Sequence, residues 1–370
     1  MNKVKRIVLS GGGTGGHIYP ALALYRALKT KGDIEVLYIG TNKGLESKLV
    51  PQEGIPFEAV EITGLKRSLS IDNLKLIYKL FNSTRKAKKL IRDFQPDIVL
   101  GTGGYVCGPV LLAASRLKIP TMIHEQNSVA GITNKFLARF VNRIAVCFEE
   151  AESQFGKYQN KVVLTGNPRG QEVIATPRIP NGLSEQFGLR DDQPTVLVFG
   201  GSRGAPAINQ AGIKALENWL AANYQVIIAT GQSHFQQLEH EALGRINNST
   251  NVRIVPYIDN MPSVFQAIDL VVCRAGATTL TELTALGLPS ILIPSPYVTN
   301  NHQEHNALSL VNQNAAVMIK EQDLNGQTLF EAVNNKMLEP KSLEAMGKAA
   351  AKIGIGDASE RIIQVMNEII

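Results

Sequence analysis

Cysteine is scarce in this chain and long apolar runs are missing, and each lack excludes a class of protein. The 370 residues hold three cysteines, Cys107, Cys147 and Cys273, far apart and with no Cys-x-x-Cys pair. That excludes a disulfide scaffold and a cysteine-based zinc site, and favours a reduced chain with buried thiols. Before the first glycines only Ile7–Ser10 follow a basic start, too short for a signal segment of about 7–15 apolar residues. The start therefore reads as cytoplasmic. The best candidate for a membrane span is the uncharged run Ile98–Ser115, but it carries Gly101, Gly103, Gly104, Gly108 and Pro109. Those residues break a helix repeatedly, so no span is expected. With 44% apolar and 19% charged residues, disorder is excluded as well, and the length suits two domains.

Short β-type runs alternate with helical patterns. In the first half, strands are predicted at Arg6–Ser10, Glu35–Ile39, Ile98–Leu100, Thr121–His124 and Arg143–Phe148. Helices are predicted at Ile18–Lys31, Leu74–Phe94 and Val106–Leu117. The pattern restarts with strands at Val162–Thr165, Thr195–Phe199, Gln225–Ala229, Val252–Val255, Leu270–Cys273 and Ser290–Ile293, and a helix at Thr279–Leu286. Near-continuous apolar strands alternating with helices predict an α/β chain with parallel, doubly wound sheets. The Pro- and Gly-rich stretch from Gly166 to Pro194 reads as connector, and a boundary is expected near residue 165. After Gly326 the chain reads as helical to its end.

The net charge of +6 sits in one place. Between Gly64 and Asp93, nine basic residues (Lys66, Arg67, Lys75, Lys79, Arg85, Lys86, Lys88, Lys89 and Arg92) face two acids, Asp72 and Asp93. Leu74, Ile77 and Phe81 fall on one helical face there, with Leu76 and Leu80 beside them. Such a face either enters the core or forms an apolar patch ringed by charge that suits anionic lipid headgroups. No aromatic–basic interleaving or nucleic-acid motif accompanies it, so nucleic acid is not expected as a partner.

Glycine-rich turns recur where strands end. Gly11-Gly12-Gly13-Thr14-Gly15-Gly16-His17 follows a strand and opens a helix, where backbone N–H groups and the helix N-terminus suit an anion. Its spacing also matches a dinucleotide fingerprint, which requires an acid at the end of the second strand. That strand ends Ile39-Gly40-Thr41-Asn42 without one, which favours a sugar or phosphate ligand over NAD. His17 either caps the helix or acts as a neutral imidazole base. Gly101–Pro109 is a second such turn, and His124-Glu125-Gln126-Asn127 follows the next strand. The carboxyl ends of parallel strands face one crevice, so these three motifs are expected to converge.

In the second half Gly200-Gly201-Ser202-Arg203-Gly204-Ala205 repeats the logic. Arg274–Glu282 follows a strand into a helix, where the N–H groups of Thr278 and Thr279 suit a phosphate. Glu282 suits ribose hydroxyls, with a capping-box partner of Thr279 as the alternative. Asn300–Asn306 reads as a polar loop in which His302 and His305 lack a third metal ligand, which favours hydrogen bonding.

Taken together, GGGTGGH, GTGGYVCGP, HEQN, GGSRGA, RAGATTLTE and NNHQEHNA resemble the bacterial N-acetylglucosamine transferases that convert lipid I to lipid II in peptidoglycan synthesis. The resemblance covers nearly the whole chain. It implies a GT-B architecture of two Rossmann-like domains with a cleft between them. The first, 1–165, would dock acceptor and membrane and be joined by the last helix, 357–370. The second, 166–356, would bind the donor UDP-N-acetylglucosamine. The resemblance places Ser202, Ala277, Thr278, Thr279, Leu280, Thr281, Glu282 and the backbone at Ile258 on phosphate, ribose and uracil. It places Gln303, Asn127, Thr14, Gly15 and Gly16 on the sugar, and Tyr105 on the acceptor side. Arg169 joins the donor set, although the family's usual form spaces that arginine one residue later. His17 is the expected base, with Glu125 as the alternative.

The resemblance also implies no cofactor and no metal, in keeping with the lack of an Asp-x-Asp pair. The partners it implies are UDP-N-acetylglucosamine, lipid I, anionic inner-leaflet lipids and the cell-wall or division machinery. Leu74, Lys75, Ile77, Lys79, Leu80 and Phe81 are the expected contacts of a peripheral protein with the cytoplasmic face of the membrane. The rivals are a UDP-sugar 2-epimerase or glycolipid synthase on the same fold, a non-catalytic nucleotide-sugar-binding protein, and a dinucleotide oxidoreductase.

Overall fold

Alternate residues of a strand point to opposite faces, so a sheet buried on both sides needs apolar residues at every position. The strands of this protein meet that demand. The structure is a computed structural model that describes residues 4–63, 71–201, 204–246 and 249–370, with backbone alone at 71–77, 237–241 and 243. It divides into two compact units, residues 1–171 with 357–370, and residues 172–356.

The first unit is built on a parallel sheet of β1 (Arg6–Ser10), β2 (Glu35–Gly40), β3 (Phe57–Ala59), β4 (Ile98–Gly101), β5 (Thr121–Glu125), β6 (Arg143–Val146) and β7 (Val162–Leu164). Their order is β3-β2-β1-β4-β5-β6-β7. The register sets Leu9 between Tyr38 of β2 and Leu100 of β4. Val8, Ile39, Val99 and Ile123 pack on one face with Ile91, Val110, Leu111 and Ala114 of the helices Ile71–Phe94 and Cys107–Arg116. Ile7, Leu9, Tyr38 and Leu100 pack on the other with Ile18 and Leu22 of the helix Gly15–Thr30.

The last helix, Ala358–Asn367, joins that second face through Ile362, Val365 and Met366. The Val4 N–H donates to Asn367 Oδ1 at 3.2 Å, and Lys31 pairs with Glu360 at 3.3 Å. Because Ile362 is buried there, Ile362→Ala is expected to destabilise the first unit by about 2–4 kcal/mol. Calorimetry should show that unit's transition moving while the transition of 172–356 stays in place.

The second unit repeats the plan with β8 (Thr195–Phe199), β9 (Gln225–Ala229), β10 (Val252–Val255), β11 (Leu270–Cys273), β12 (Ser290–Leu292) and β13 (Val317–Met318). All are parallel, in the order β10-β9-β8-β11-β12-β13. Val196, Val198, Ile228 and Val272 pack against Trp219, Leu329 and Val333.

Three sequence expectations change. The stretch after Gly166 is not plain connector, because it holds the helices Pro168–Ala175 and Gly182–Phe187. Asn167 Oδ1 accepts the Arg169 N–H at 3.1 Å and starts the first of them, while left-handed Asn181 and Gly188 bracket the second. The division between units falls after Gln171, whose side-chain oxygen accepts the Ser359 N–H at 2.9 Å. Asn300–Asn306 is not a loop throughout. Asn300 and Asn301 adopt φ of 55° and 49°, and the helix His302–Val311 begins directly after them.

Candidate active site

In each sheet the strand order reverses between two neighbours, β1/β4 in the first and β8/β11 in the second. Loops leaving such neighbours part to opposite faces and open a crevice at the strand ends. The motifs found in the sequence lie at those ends.

In the first unit the three turns interlock. The Gly12 N–H donates to the Gly103 carbonyl at 3.2 Å. Thr102 Oγ1 donates to the His17 carbonyl at 2.6 Å, and Gln126 Nε2 to the Thr102 carbonyl at 2.7 Å. Gly103 and Gly104 make this approach feasible. They sit at φ of 113° and 85°, in the region that favours glycine. A Cβ on Gly103 would lie 2.6 Å from the His17 ring, and one on Gly104 would run into the Gly12 carbonyl oxygen.

His17 is half-buried in the first turn of its helix. Its Nδ1 lies 2.9 Å from the Gly12 carbonyl oxygen. A carbonyl only accepts, so Nδ1 carries a proton, and Nε2 is the nitrogen left to accept one. Glu125 is in a different state. It is buried, and its Oε1 accepts from the Asn127 N–H at 3.0 Å and from Asn127 Nδ2 at 3.3 Å. Its Oε2 accepts from the Gly131 N–H and Asn134 Nδ2, each at 2.8 Å. The carboxylate thus holds the 126–134 segment in place, and Asn127 is positioned by it. Thr14 is exposed, with Gly15 and Gly16 half-buried. Tyr105 is exposed, and the Arg169 guanidinium lies 5.7 Å from the centre of the Tyr19 ring.

His124 is fully buried, donating from Nε2 to the Gly166 carbonyl at 2.9 Å and accepting at Nδ1 from Gln126 at 2.9 Å. Burial pulls its pKa below the ordinary 6.5. The unfolded chain therefore binds a proton that the folded one refuses, and stability is lost as pH falls below that ordinary value. The thermal midpoint of the first unit should drop between pH 7.5 and 5.5, and His124→Gln should flatten that dependence if it folds.

Sequence reasoning missed Glu46. It lies in the helix Glu46–Gln52, just past β2, and is fully buried. Its Oε2 accepts the Gly13 N–H at 3.0 Å, and its Oε1 accepts the Thr41 N–H at 3.1 Å and Thr41 Oγ1 at 2.7 Å. An acid does therefore stand beyond the second strand, but beneath the glycine turn. The only sequence signal for it was an acid in the first turn of a short helix.

In the second unit the helix Ala277–Leu286 begins after Gly276, which takes the N-cap position. That leaves Glu282 well inside the helix, so the capping-box alternative falls. Glu282 is buried, as are Ala277, Leu280 and Thr281. Thr278 and Thr279 are half-buried in the first turn, where N–H groups lack helical partners. Asn306 Nδ2, also missed, donates to the Ala275 carbonyl at 3.2 Å and ties the 302–311 helix to this turn. Gln303 Oε1 accepts the Ser295 N–H at 2.9 Å, and His302 Nδ1 donates to the Thr299 carbonyl at 2.8 Å. Ile258 is buried, and Ser202 lies outside the described residues. Among the described residues no three His, Cys, Asp or Glu side chains are grouped to hold a metal ion.

On the basic helix Ile71–Phe94, the side chains of Leu74, Lys75 and Ile77 lie outside the described residues. Lys79 and Leu80 are half-buried, while Tyr78 and Phe81 are 68% and 64% exposed, with Arg85, Lys86 and Lys89 exposed nearby. Among the described residues no helix is long and apolar enough to cross a membrane.

Two parallel doubly wound units with glycine turns at both switch points are the GT-B architecture. Residues 7–146 match the glycosyltransferase family 28 N-terminal domain, and residues 195–362 the family 28 C-terminal domain. The UDP-N-acetylglucosamine–N-acetylmuramyl-(pentapeptide) pyrophosphoryl-undecaprenol N-acetylglucosamine transferase of Latilactobacillus sakei is 54% identical over 368 residues, covering 98% of this chain and 100% of that protein. The enzyme of that name from Halalkalibacterium halodurans is 52% identical over 365 residues, covering 98% and 99%. Among solved structures, MurG of Acinetobacter baumannii superposes with a TM-score of 0.77 at 26% identity, covering 98% of this chain and 99% of that one. A UDP-GlcNAc 2-epimerase from Neisseria meningitidis shares the fold, with a TM-score of 0.69 at 16% identity. The chain belongs to the family 28 N-acetylglucosamine transferases that bear this UDP-N-acetylglucosamine–N-acetylmuramyl-(pentapeptide) name.

Proposed function

We infer that the chain transfers N-acetylglucosamine from UDP-N-acetylglucosamine to the muramyl 4-hydroxyl of lipid I, releasing UDP and giving lipid II. The observation that carries this reading is the near-full-length identity of about half to transferases of that name. The acceptor oxygen attacks the anomeric carbon as the bond to the diphosphate breaks, and the configuration inverts from α to β. The electron pair of the broken bond goes to the diphosphate, and the acceptor proton goes to a base.

His17 is that base, acting through Nε2, because Nδ1 is already committed to the Gly12 carbonyl. Glu125, its lone pairs taken by four donors, positions Asn127 and the following loop. The growing diphosphate charge falls on backbone N–H groups of Thr278 and Thr279 at the N-terminus of the Ala277–Leu286 helix, with the Gly200–Gly204 turn and Ser202. Glu282 accepts from the ribose hydroxyls, the backbone at Ile258 meets uracil, and Gln303, Asn127 and the Thr14–Gly16 turn reach the sugar. Arg169 supports the donor side and Tyr105 the acceptor side. In this scheme no metal is needed on the diphosphate. Turnover should therefore survive excess EDTA, whereas a loss restored by Mg²⁺ would put a divalent ion there.

The direct test is UDP release with and without a short-chain lipid I analogue. Release only with the analogue supports transfer. Conversion of the sugar nucleotide without any acceptor would favour an epimerase instead.

A polyprenyl acceptor requires a protein held at the cytoplasmic face of the membrane. Exposed Phe81 within the basic Lys79, Arg85, Lys86 and Lys89 surface supports docking on anionic headgroups. At about 1 kcal/mol per cation near such a surface, charge reversal at Lys75, Lys79 and Lys86 should weaken vesicle binding at least about tenfold. Undiminished co-sedimentation with anionic vesicles would exclude this surface. Association with the cell-wall or division machinery is part of the same reading, and pull-down with and without membranes checks it.

A further inference from the structure

We propose that Glu46 is a positioning residue for His17, coupled to it through a single peptide group. The peptide joining Gly12 to Gly13 has both ends engaged. Its N–H donates to Glu46 Oε2 at 3.0 Å, and its carbonyl accepts His17 Nδ1–H at 2.9 Å. Carboxylate, peptide and imidazole thus form one line of hydrogen bonds, in which each bond polarises the next.

The surroundings make that line electrostatically one-sided. Glu46 is fully buried, and among the described residues no cation pairs with it. Its charge is held by the Gly13 and Thr41 N–H groups and the Thr41 hydroxyl. A buried carboxylate satisfied only by neutral donors projects its field along those donors. Gly12 lacks the Cβ that would collide with this carboxylate.

Tyr19 packs against Gly15 of the turn, with the Arg169 guanidinium 5.7 Å from its ring centre, and four further titratable groups near the turn do not compete. Tyr38 of β2 donates to the Gly11 carbonyl at 2.9 Å, and burial raises its pKa well above the ordinary tyrosine value. Cys107, beside the Ser10 and Gly103 carbonyls, is pushed up to about 12 by burial. Both stay neutral at working pH. From β5, His124 and Glu125 are committed to Gly166 and to the 127–134 segment.

This inference rests on reading His17 as the base. When His17 takes the acceptor proton, positive charge appears on the ring. The Gly12 carbonyl, made more negative by Glu46 on the far side of the peptide, stabilises that charge. Glu46 therefore favours proton transfer to Nε2 through the shared peptide without touching substrate.

The test uses the full chain and nuclear magnetic resonance of the His17 ring. In Glu46→Gln the imidazole midpoint should fall by about half to one pH unit, the size expected for one charge at this remove in a partly buried site. Turnover should drop about tenfold with the KM for UDP-N-acetylglucosamine unchanged, and the acidic limb of the kcat profile should move to lower pH. Thr41→Val keeps the carboxylate and loosens its seat, so its His17 midpoint should not fall. An unchanged midpoint in Glu46→Gln, or an equal fall in Thr41→Val, overturns the proposal. If Glu46→Gln does not fold, the wild-type protein labelled at glycine decides. The Gly13 amide should titrate with the His17 midpoint, and a flat Gly13 signal overturns the coupling. His17→Ala with full turnover would sink the base assignment while leaving these midpoints to judge the coupling alone.

Discussion

His17→Ala should lower kcat by about a hundredfold to ten-thousandfold, the usual contribution of a positioned general base. The KM for UDP-N-acetylglucosamine should stay within about twofold, since the loss falls on a step made only in the transition state. His17→Gln is the sharper variant. A glutamine amide can still donate to the Gly12 carbonyl, which His17 Nδ1 now occupies at 2.9 Å, yet it cannot take a proton at neutral pH. Both variants should therefore be equally slow, with the glutamine variant closer to wild type in stability. Near-full turnover with saturating donor in either variant would remove His17 from the chemistry.

Gly104→Ala should be the most damaging single methyl in the first unit, and Gly108→Ala should be close to neutral. The two glycines stand four residues apart in one motif. Gly104 sits at φ 85°, and a methyl there meets the Gly12 carbonyl, nitrogen and carbon, while Gly108 faces open space. The first substitution combines backbone strain of about 1–3 kcal/mol with a forced separation of the two turns. The Gly12 peptide holds both His17 and Glu46, so activity should fall further than stability. A shift of the first unit's Tm by several degrees, with turnover down at least about a hundredfold, is the expected pattern. Equal Tm and turnover in the two variants would mean that the turns do not interlock as described.

The legible parts of the fold were those whose physics is local or repetitive. β1, β4, β8 and β11 are central strands buried on both faces, so their apolar runs stand out in the sequence. The edge strands β3 and β13, of three and two residues, have no such run and emerge only through pairing with β2 and β12. The helix His302–Val311 was hidden because two left-handed asparagines and a polar first turn look like a loop. The start of the Ala277–Leu286 helix was placed two residues late, which gave Glu282 a false capping alternative.

The convergence of the Gly11–His17, Gly101–Pro109 and His124–Asn127 motifs followed from topology alone, because neighbouring parallel strands put their carboxyl ends together. What topology does not encode is which polar side chains the fold consumes. Glu125, the alternative base, has both carboxylate oxygens engaged by four donors. Glu46 drew no notice in the sequence, yet it is buried beneath the glycine turn. Those facts belong to tertiary packing.

The most direct measurement is the linkage made by the purified protein from UDP-N-acetylglucosamine and a short-chain lipid I analogue. Mass spectrometry should find one added N-acetylhexosamine per UDP released, and the proton coupling at the new anomeric centre should be that of a β-linkage to the muramyl 4-oxygen. An α-linked product, or consumption of the sugar nucleotide with no disaccharide formed, would contradict inverting transfer.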